Sequence, residues 1–229
     1  MSDFSNAIVI GQGGIGGAIA DAIEARGGRV TRLGRQTTPP IDFLEPATIE
    51  AAASALEAQG PFDAVIIASG ILHSDAFGPE KSWRMLDADP LTTTFAINTI
   101  GPALVARHFI PLLPRKERFL FAALSARVGS ISDNRIGGWY GYRASKAALN
   151  QIIRTLAIEL GRTHKEGVIA ALHPGTVDTK LSEPFQGNVP DKQLFSPEKS
   201  ANHLLDVLSG LTPEDSGGHF DWAGEPVPA

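Results

Sequence analysis

The stretch "AIVIGQGGIGGAIA", Ala7 to Ala20, decides the fold. Four apolar residues of strand length run into a glycine turn. The turn opens a helical pattern in which Ile15, Ile19, Ala22 and Ile23 recur at the spacing that buries one face. Gly11, Gly13 and Gly16 fit the spacing G-x-G-x-x-G. Glycines there allow a tight turn and let backbone approach a pyrophosphate. They also aim a helix N-terminus, with its free N–H groups and partial positive charge, at the anion. A bare glycine motif is a weak signal, and a merely structural glycine-rich turn is the bland alternative. Its place at the first strand-to-helix junction points to a dinucleotide, with Ile15 counted among the contacts.

Outward from this stretch, strand-length apolar runs recur at "RVTRL" (29 to 33), "AVIIAS" (64 to 69), "RFLFAAL" (118 to 124) and "VIAAL" (168 to 172), with "HFDW" as a last strand. Helical patterns separate them, including Leu149, Ile152, Ile153, Leu156 and Leu160, and "ATIEAAASALEAQG", which Gly60 and Pro61 stop. Strands apolar on both faces and separated by helices imply a parallel sheet covered on both sides. The expected fold is α/β: a single-domain, doubly wound Rossmann-type parallel sheet with helices on both faces, over residues 1–229. One segment, 180–197, mixes Gly, Pro and polar residues with Leu181, Phe185 and Phe195 and reads as a mobile lid over a substrate.

Composition narrows the function. A chain of 229 residues, 43% of them hydrophobic, buries one substantial core. A net charge of -5 and a pI near 5.7 give no general reason to bind nucleic acid or an anionic membrane. With no cysteine there is no disulfide, thiolate metal site or cysteine nucleophile, and the six histidines are scattered without metal-ligand spacing. The opening residues carry acid where a leader wants base, and no apolar run approaches the roughly 20 residues that span a bilayer. A soluble, cytoplasmic protein is expected.

The second strand ends in "TRLGRQTT", where a carboxylate usually holds an unmodified ribose. None is present. Arg35 suits a 2'-phosphate by its fork geometry, which favours NADP(H) over NAD(H), while an exposed loop arginine is the competing reading.

In "GWYGYRASKAALN", Tyr142 and Lys146 lie one helical turn apart on one face. At about 6 Å and an effective dielectric of about 20 the ammonium favours phenolate by roughly 3 kcal/mol, which lowers the phenol toward neutral pH. The spacing alone is common by chance. In "TTTFAINTIGPALVARHFIPLL", Pro102 has no N–H for the carbonyl of Asn98. That orphaned carbonyl wants a water, though a kinked helix with a solvated carbonyl explains it equally well.

Together these residues resemble the short-chain dehydrogenase/reductase family, in order and over essentially the whole chain, with closest likeness to its carbonyl reductase and C-factor-like branch. The resemblance implies that Tyr142 and Lys146 in "YRASK" are catalytic. It implies that the Asn98 carbonyl holds a water relaying protons to Lys146, which also binds the nicotinamide ribose. It places Asp42 near the adenine, after a third strand, and assigns the nicotinamide carboxamide to Pro174, Gly175, Val177 and Thr179 of "PGTVDT". Ser69 and Gly70 of "IASG" fall at the cofactor in the same way. It also implies a homodimer or homotetramer.

Three departures stand out. The glycine turn is one residue short and has Ile10 where Thr is expected; Ile67 and Ala68 replace two asparagines that brace the sheet; and "SARVG" puts Ala126 where the substrate-orienting serine belongs. Consecutive strand side chains face opposite ways, so Ser125 can substitute only if the strand end bulges or turns. Ser130 and Ser132 are weaker candidates.

The leading reading is an NADP(H)-dependent reductase or dehydrogenase of a small carbonyl or alcohol, with Tyr142 as acid/base and Lys146, Ser125 and Asn98 in support. The alternative is a dinucleotide-binding sensor or signalling protein of the same fold with little turnover. A serine hydrolase lacks its G-x-S-x-G turn.

Overall fold

The structure, a computed structural model, describes residues 4–188 and 194–229. Strand β1 (Asn6–Ile10) leads into helix α1 (Gly14–Ala25), and β2 (Arg29–Leu33) into α2 (Ala47–Leu56). After β3 (Ala64–Ile67) come α3 (Ala88–Phe95), a π-helical segment (Ala96–Ile100) and α4 (Gly101–Phe109). Strand β4 (Phe119–Leu124), helix α5 (Tyr140–Leu160) and β5 (Gly167–His173) follow. A two-stranded ladder of β6 (Thr176–Val177) and β7 (Leu194–Phe195), helix α6 (Pro197–Gly210) and β8 (His219–Asp221) complete the order.

Six strands form one parallel sheet in the order β2-β1-β3-β4-β5-β8. Alternation along each strand sorts two cores. Ala7, Val9, Leu120, Ala122 and Leu172 face α1 and α6, with Ile19, Ile23, Leu204 and Leu208. Ile8, Ile10, Phe119, Phe121 and Ile169 face α2, α4 and α5, with Ile49, Val105, Phe109, Leu149 and Ile153. Burying each large side chain is worth about 1.5–3 kcal/mol. The expected doubly wound sheet, helix-covered on both faces, is what the chain forms.

The usual order of such sheets, 3-2-1-4-5-6, has a strand outside the second one. Here β2 is the edge, because residues 34–46 between β2 and α2 contain no strand. Asp42 was expected after a third strand; it lies instead in this loop, well ahead of β3. The edge carries Arg29 and Arg32, and charge on an edge strand discourages pairing with another chain. Arg32 is tied at 2.7 Å to both Asp21 and Glu24 of α1.

The lid expected at 180–197 is divided. Residues 183–188 form a 3-10 helix, and residues 189–193 lie outside the described residues. Phe195 is buried edge-on against Trp222, ring centres 4.8 Å apart, so this end of the segment is anchored to the core.

Candidate active site

The sheet reverses its winding between β1 and β3, and the crevice beyond the strand ends there is where such folds bind ligands. The glycine turn lies at its edge. Gly11 has φ +111°, and a Cβ on it would fall 2.8 Å from the Ser69 backbone nitrogen. At Gly16 a Cβ would fall 2.0 Å from the Gly11 carbonyl oxygen, so these two glycines let backbone pack on backbone. Gly13 differs: a Cβ there meets nothing within 4 Å. No side chain caps α1 at Gly13, so the N–H groups of Gly14, Ile15 and Gly16 open toward free space suited to an anion.

Other sequence candidates gather around this turn. A Cβ on Gly14 would lie 2.6 Å from Thr179 Cγ2, so the Pro174–Thr179 segment packs against the glycine turn. Its bend is held by Gly175 at φ +78° and by the Pro174 carbonyl, which accepts from Ser200 Oγ at 2.9 Å. Val177 is buried in β6. Ser69 Oγ donates to the Ile10 carbonyl at 3.4 Å. Arg35 is exposed just past β2 and has no hydrogen-bond or ion-pair partner among the described residues. Asp42 Oδ1 accepts from Leu44 N–H at 2.9 Å and shapes its own loop.

Gly70, Asn98 and Lys146 converge. The Cβ position of Gly70 is 3.4 Å from Asn98 Oδ1 and 3.5 Å from Lys146 Nζ. The π-helical segment holds the fully buried Asn98, which accepts Ile71 N–H at 2.8 Å and donates to the Ile71 carbonyl at 2.8 Å and to Ser145 Oγ at 3.1 Å. Sequence had suggested that bracing was lost with the two missing asparagines. The Asn98 side chain provides a brace from the neighbouring helix.

On α5, Lys146 Nζ is 5.8 Å from the centre of the Tyr142 ring and donates to the Leu124 carbonyl at 2.8 Å. Burial pushes the Tyr142 phenol up to about 12 and the Lys146 ammonium down to about 8. The expected lowering of the phenol is therefore reversed. Lys146 is buried and Tyr142 half-buried, and the loss of hydration outweighs their attraction. Near neutral pH the phenol keeps its proton and is a loaded donor.

Ser125 does not turn toward this pair. Its N–H continues the ladder to the Leu172 carbonyl at 2.7 Å, so the strand has neither bulged nor turned. Its Oγ–H donates to Asn150 Oδ1 at 2.6 Å, two helical turns beyond Tyr142. Asn150 contacts His219 Nδ1 at 3.3 Å. Ser130 and Ser132 both reach the Ala229 carbonyl. His173 and His219 are pushed down to about 4 by burial, and His173 Nδ1 and His219 Nε2 have no partner among the described residues.

Residues that sequence reasoning passed over include Ser145, Asn150 and Glu80. Ser145 and Asn150 sit at helical spacing from Tyr142 and Lys146, a signal that was there to be used. Glu80 approaches from a distant loop and leaves no local pattern.

Residues 18–205 match the family described as enoyl-(acyl carrier protein) reductase, and 1-hydroxy-2-glutathionyl-2-methyl-3-butene dehydrogenase of Rhodococcus sp. (strain AD45) is 34% identical over 193 residues, 83% of this chain and 79% of that one. The chain belongs to the short-chain dehydrogenase/reductase family. It is an oxidoreductase of this family. The C-signal protein of Myxococcus xanthus is 35% identical over 173 residues, covering 74% of this chain and 93% of that protein. The NADPH-bound carbonyl reductase from chicken fatty liver shares the short-chain dehydrogenase/reductase fold at a TM-score of 0.85, with 23% identity and 99% of both chains covered. No helix among the described residues is long and apolar enough to cross a membrane, and no cluster there could hold a metal ion.

Proposed function

We propose that the protein is an NADP(H)-dependent reductase of small carbonyl compounds, with Tyr142 as proton donor. The observation that carries this reading is the half-buried Tyr142 beside the buried Lys146 next to Gly70, in the same crevice as an uncapped glycine turn with room at Gly13. The solved relative that binds NADPH supports the choice of nucleotide, and Arg35 supplies an exposed guanidinium, without a partner among the described residues, for a 2'-phosphate.

A bound nicotinamide dinucleotide supplies the hydride chemistry. The N–H groups of Gly14, Ile15 and Gly16 would hold its pyrophosphate, with Ser69 and Gly70 beside it, Asp42 would serve the adenine end, and Pro174, Gly175, Val177 and Thr179 would serve the nicotinamide end. Tyr142 Oη–H delivers its proton to the substrate oxygen as negative charge develops there. Lys146 stabilises the phenolate left behind, which restores in the charged site the attraction that burial masks at rest. Its ammonium, next to Gly70, would also hold the nicotinamide ribose. Pro102 leaves the Asn98 carbonyl free for a water on the path to Lys146. Ser125 acts on the substrate only if its hydroxyl leaves Asn150.

Turnover of carbonyl compounds with NADPH by Tyr142→Phe tests this. Loss of turnover by at least about 100-fold with unchanged NADPH affinity is expected. Retained turnover overturns the assignment. A sensor with little turnover is favoured by one feature, the commitment of Ser125 to Asn150 beside Ala126; wild-type protein that binds NADPH and reduces none of a set of small aldehydes and ketones would decide for it.

A further inference from the structure

Helix α5 carries Tyr142 in its first turn, yet it begins without any cap of its own. The residue before it, Trp139, has φ 53° and ψ 44° and offers no capping side chain. Gly137 and Gly138 also have positive φ, 71° and 66°, so three consecutive left-handed residues deliver the chain into the helix. For tryptophan this conformation is unfavourable and persists only where its surroundings fix it. Backbone strain of this kind gathers at functional sites.

Glu80 fixes it from sixty residues away. Its carbonyl accepts Trp139 N–H at 2.5 Å, and its side-chain Oε2 accepts Gly141 N–H at 3.1 Å. The side chain is buried, 7% exposed, and a Cβ on Gly141 would come within 2.9 Å of Glu80 Oε1, so glycine at 141 is what lets the carboxylate in. Arg143 closes the other side, with Nε on the Gly138 carbonyl at 3.0 Å and Nη1 on the Val128 carbonyl at 3.3 Å. Trp139, held in place this way, meets the Tyr142 ring edge-on at 6.3 Å. A buried carboxylate at a helix N-terminus satisfies both a free N–H group and the helix dipole.

We propose that Glu80 is a positioning residue for proton transfer: it caps α5 in place of the absent local cap and thereby sets where the Tyr142 hydroxyl stands relative to the substrate oxygen. The inference rests on the reading of Tyr142 as proton donor. Glu80 itself touches no reacting atom. A misplacement of about 1 Å of a reacting group costs on the order of 100-fold in rate, so the effect belongs in kcat and leaves the glycine turn alone.

The test compares Glu80→Ala, Glu80→Gln and Tyr142→Phe in the full chain, measuring kcat, KM, NADPH affinity and the solvent deuterium isotope effect on kcat. Glu80→Ala is expected to lower kcat by about 10- to 100-fold, to enlarge the isotope effect as proton transfer becomes limiting, and to leave NADPH affinity within about twofold. Glu80→Gln keeps an acceptor for Gly141 N–H and is expected to recover kcat to within about threefold of wild type. If Glu80→Ala is folded and keeps kcat within about threefold, the inference is overturned, even where its melting temperature falls. Should Glu80→Ala not fold, Glu80→Asp, which keeps the carboxyl group but falls short of Gly141, is read by the same limits. A Tyr142→Phe enzyme that still turns over overturns the tyrosine reading and this inference with it. A dead Tyr142→Phe beside an unimpaired Glu80→Ala sinks the inference alone.

Discussion

Replacing Lys146 by Met should make the protein more stable and inactive. Lys146 is 3% exposed, and burial lowers its ammonium from an ordinary 10.5 to about 8. A shift of that size means that keeping the charge in place costs about 3 kcal/mol at pH 7, at about 1.4 kcal/mol for each pK unit. Methionine has a similar shape and no charge. It strands the Leu124 carbonyl that Lys146 Nζ now reaches at 2.8 Å, a loss of about 1–2 kcal/mol. A net gain of about 1–2 kcal/mol remains. The sign with pH follows from linkage: a lysine whose folded pKa is depressed binds fewer protons folded than unfolded between about 8 and 10.5, so wild-type stability rises through that window. Between pH 7 and 9.5 the rise should be about 2 kcal/mol. No cysteine titrates there to confuse it, and the Tyr142 phenol, raised to about 12, is still protonated. Urea unfolding at pH 7, 8, 9 and 9.5 measures both quantities. A flat wild-type profile, or a Lys146→Met profile that keeps the same slope, would show that the ammonium is not held at a cost, and the electrostatic description of the site would have to be abandoned.

Gly13→Ala should fold normally, since its methyl meets no atom of the protein within 4 Å, and bind NADPH about 10- to 100-fold more weakly if that space takes the pyrophosphate as proposed, a loss of about one charge-assisted hydrogen bond. Gly16→Ala, whose methyl would strike the Gly11 carbonyl oxygen, should lose several degrees in melting temperature; nicotinamide fluorescence and thermal unfolding separate the two. Arg35→Gln should weaken NADPH by about tenfold and leave NADH unchanged in the same titration, and equal losses for both nucleotides would remove Arg35 from the phosphate. The folded pKa values of His173 and His219 are depressed from 6.5 to about 4, so the stability they confer is present above pH 6.5 and lost as pH falls toward 4. That amounts to about 1–2 kcal/mol each by pH 5, and denaturant unfolding of His219→Gln should show a shallower fall between pH 7 and 5.

Local pattern made most of the sheet readable. Four of its six strands, β1, β3, β4 and β5, are short apolar runs in the sequence, because a buried parallel strand is apolar on both faces, while the edge strands β2 and β8 mix in charged and polar residues. Helix α2 ends at Leu56, and the 3-10 turn that extends it over Glu57–Gln59 stops at Gly60 and Pro61 as turn chemistry requires. The ladder of β6 and β7, only two residues per strand, has no periodicity to read, and helix α6 stayed hidden behind the lid reading of 180–197 although Ser196 caps it and Pro197 opens it. Asp42 was assigned by analogy to a strand that this chain does not possess. Ser125 was decided by backbone geometry beyond the reach of spacing: the ladder runs on through its N–H, and alternation sends its hydroxyl to Asn150. The Tyr142 pKa went the wrong way because spacing along a helix gives a distance but says nothing about lost water. Glu80 illustrates the remaining limit, since a cap supplied across sixty residues obeys no local rule.

The edge position of β2 has a practical meaning. With no outer strand to hold in register, the 34–46 connection that carries Arg35 and Asp42 is secured by short-range bonds such as Ile41 N–H to the Gly34 carbonyl and Asp42 N–H to Thr48 Oγ1, and by Ile41 and Phe43, which are buried in the core. On the proposal that Arg35 reads the 2'-phosphate, the choice of coenzyme rests on the exposed start of this connection, and exchanging its charge while keeping Ile41 and Phe43 should retune that choice without unzipping the sheet.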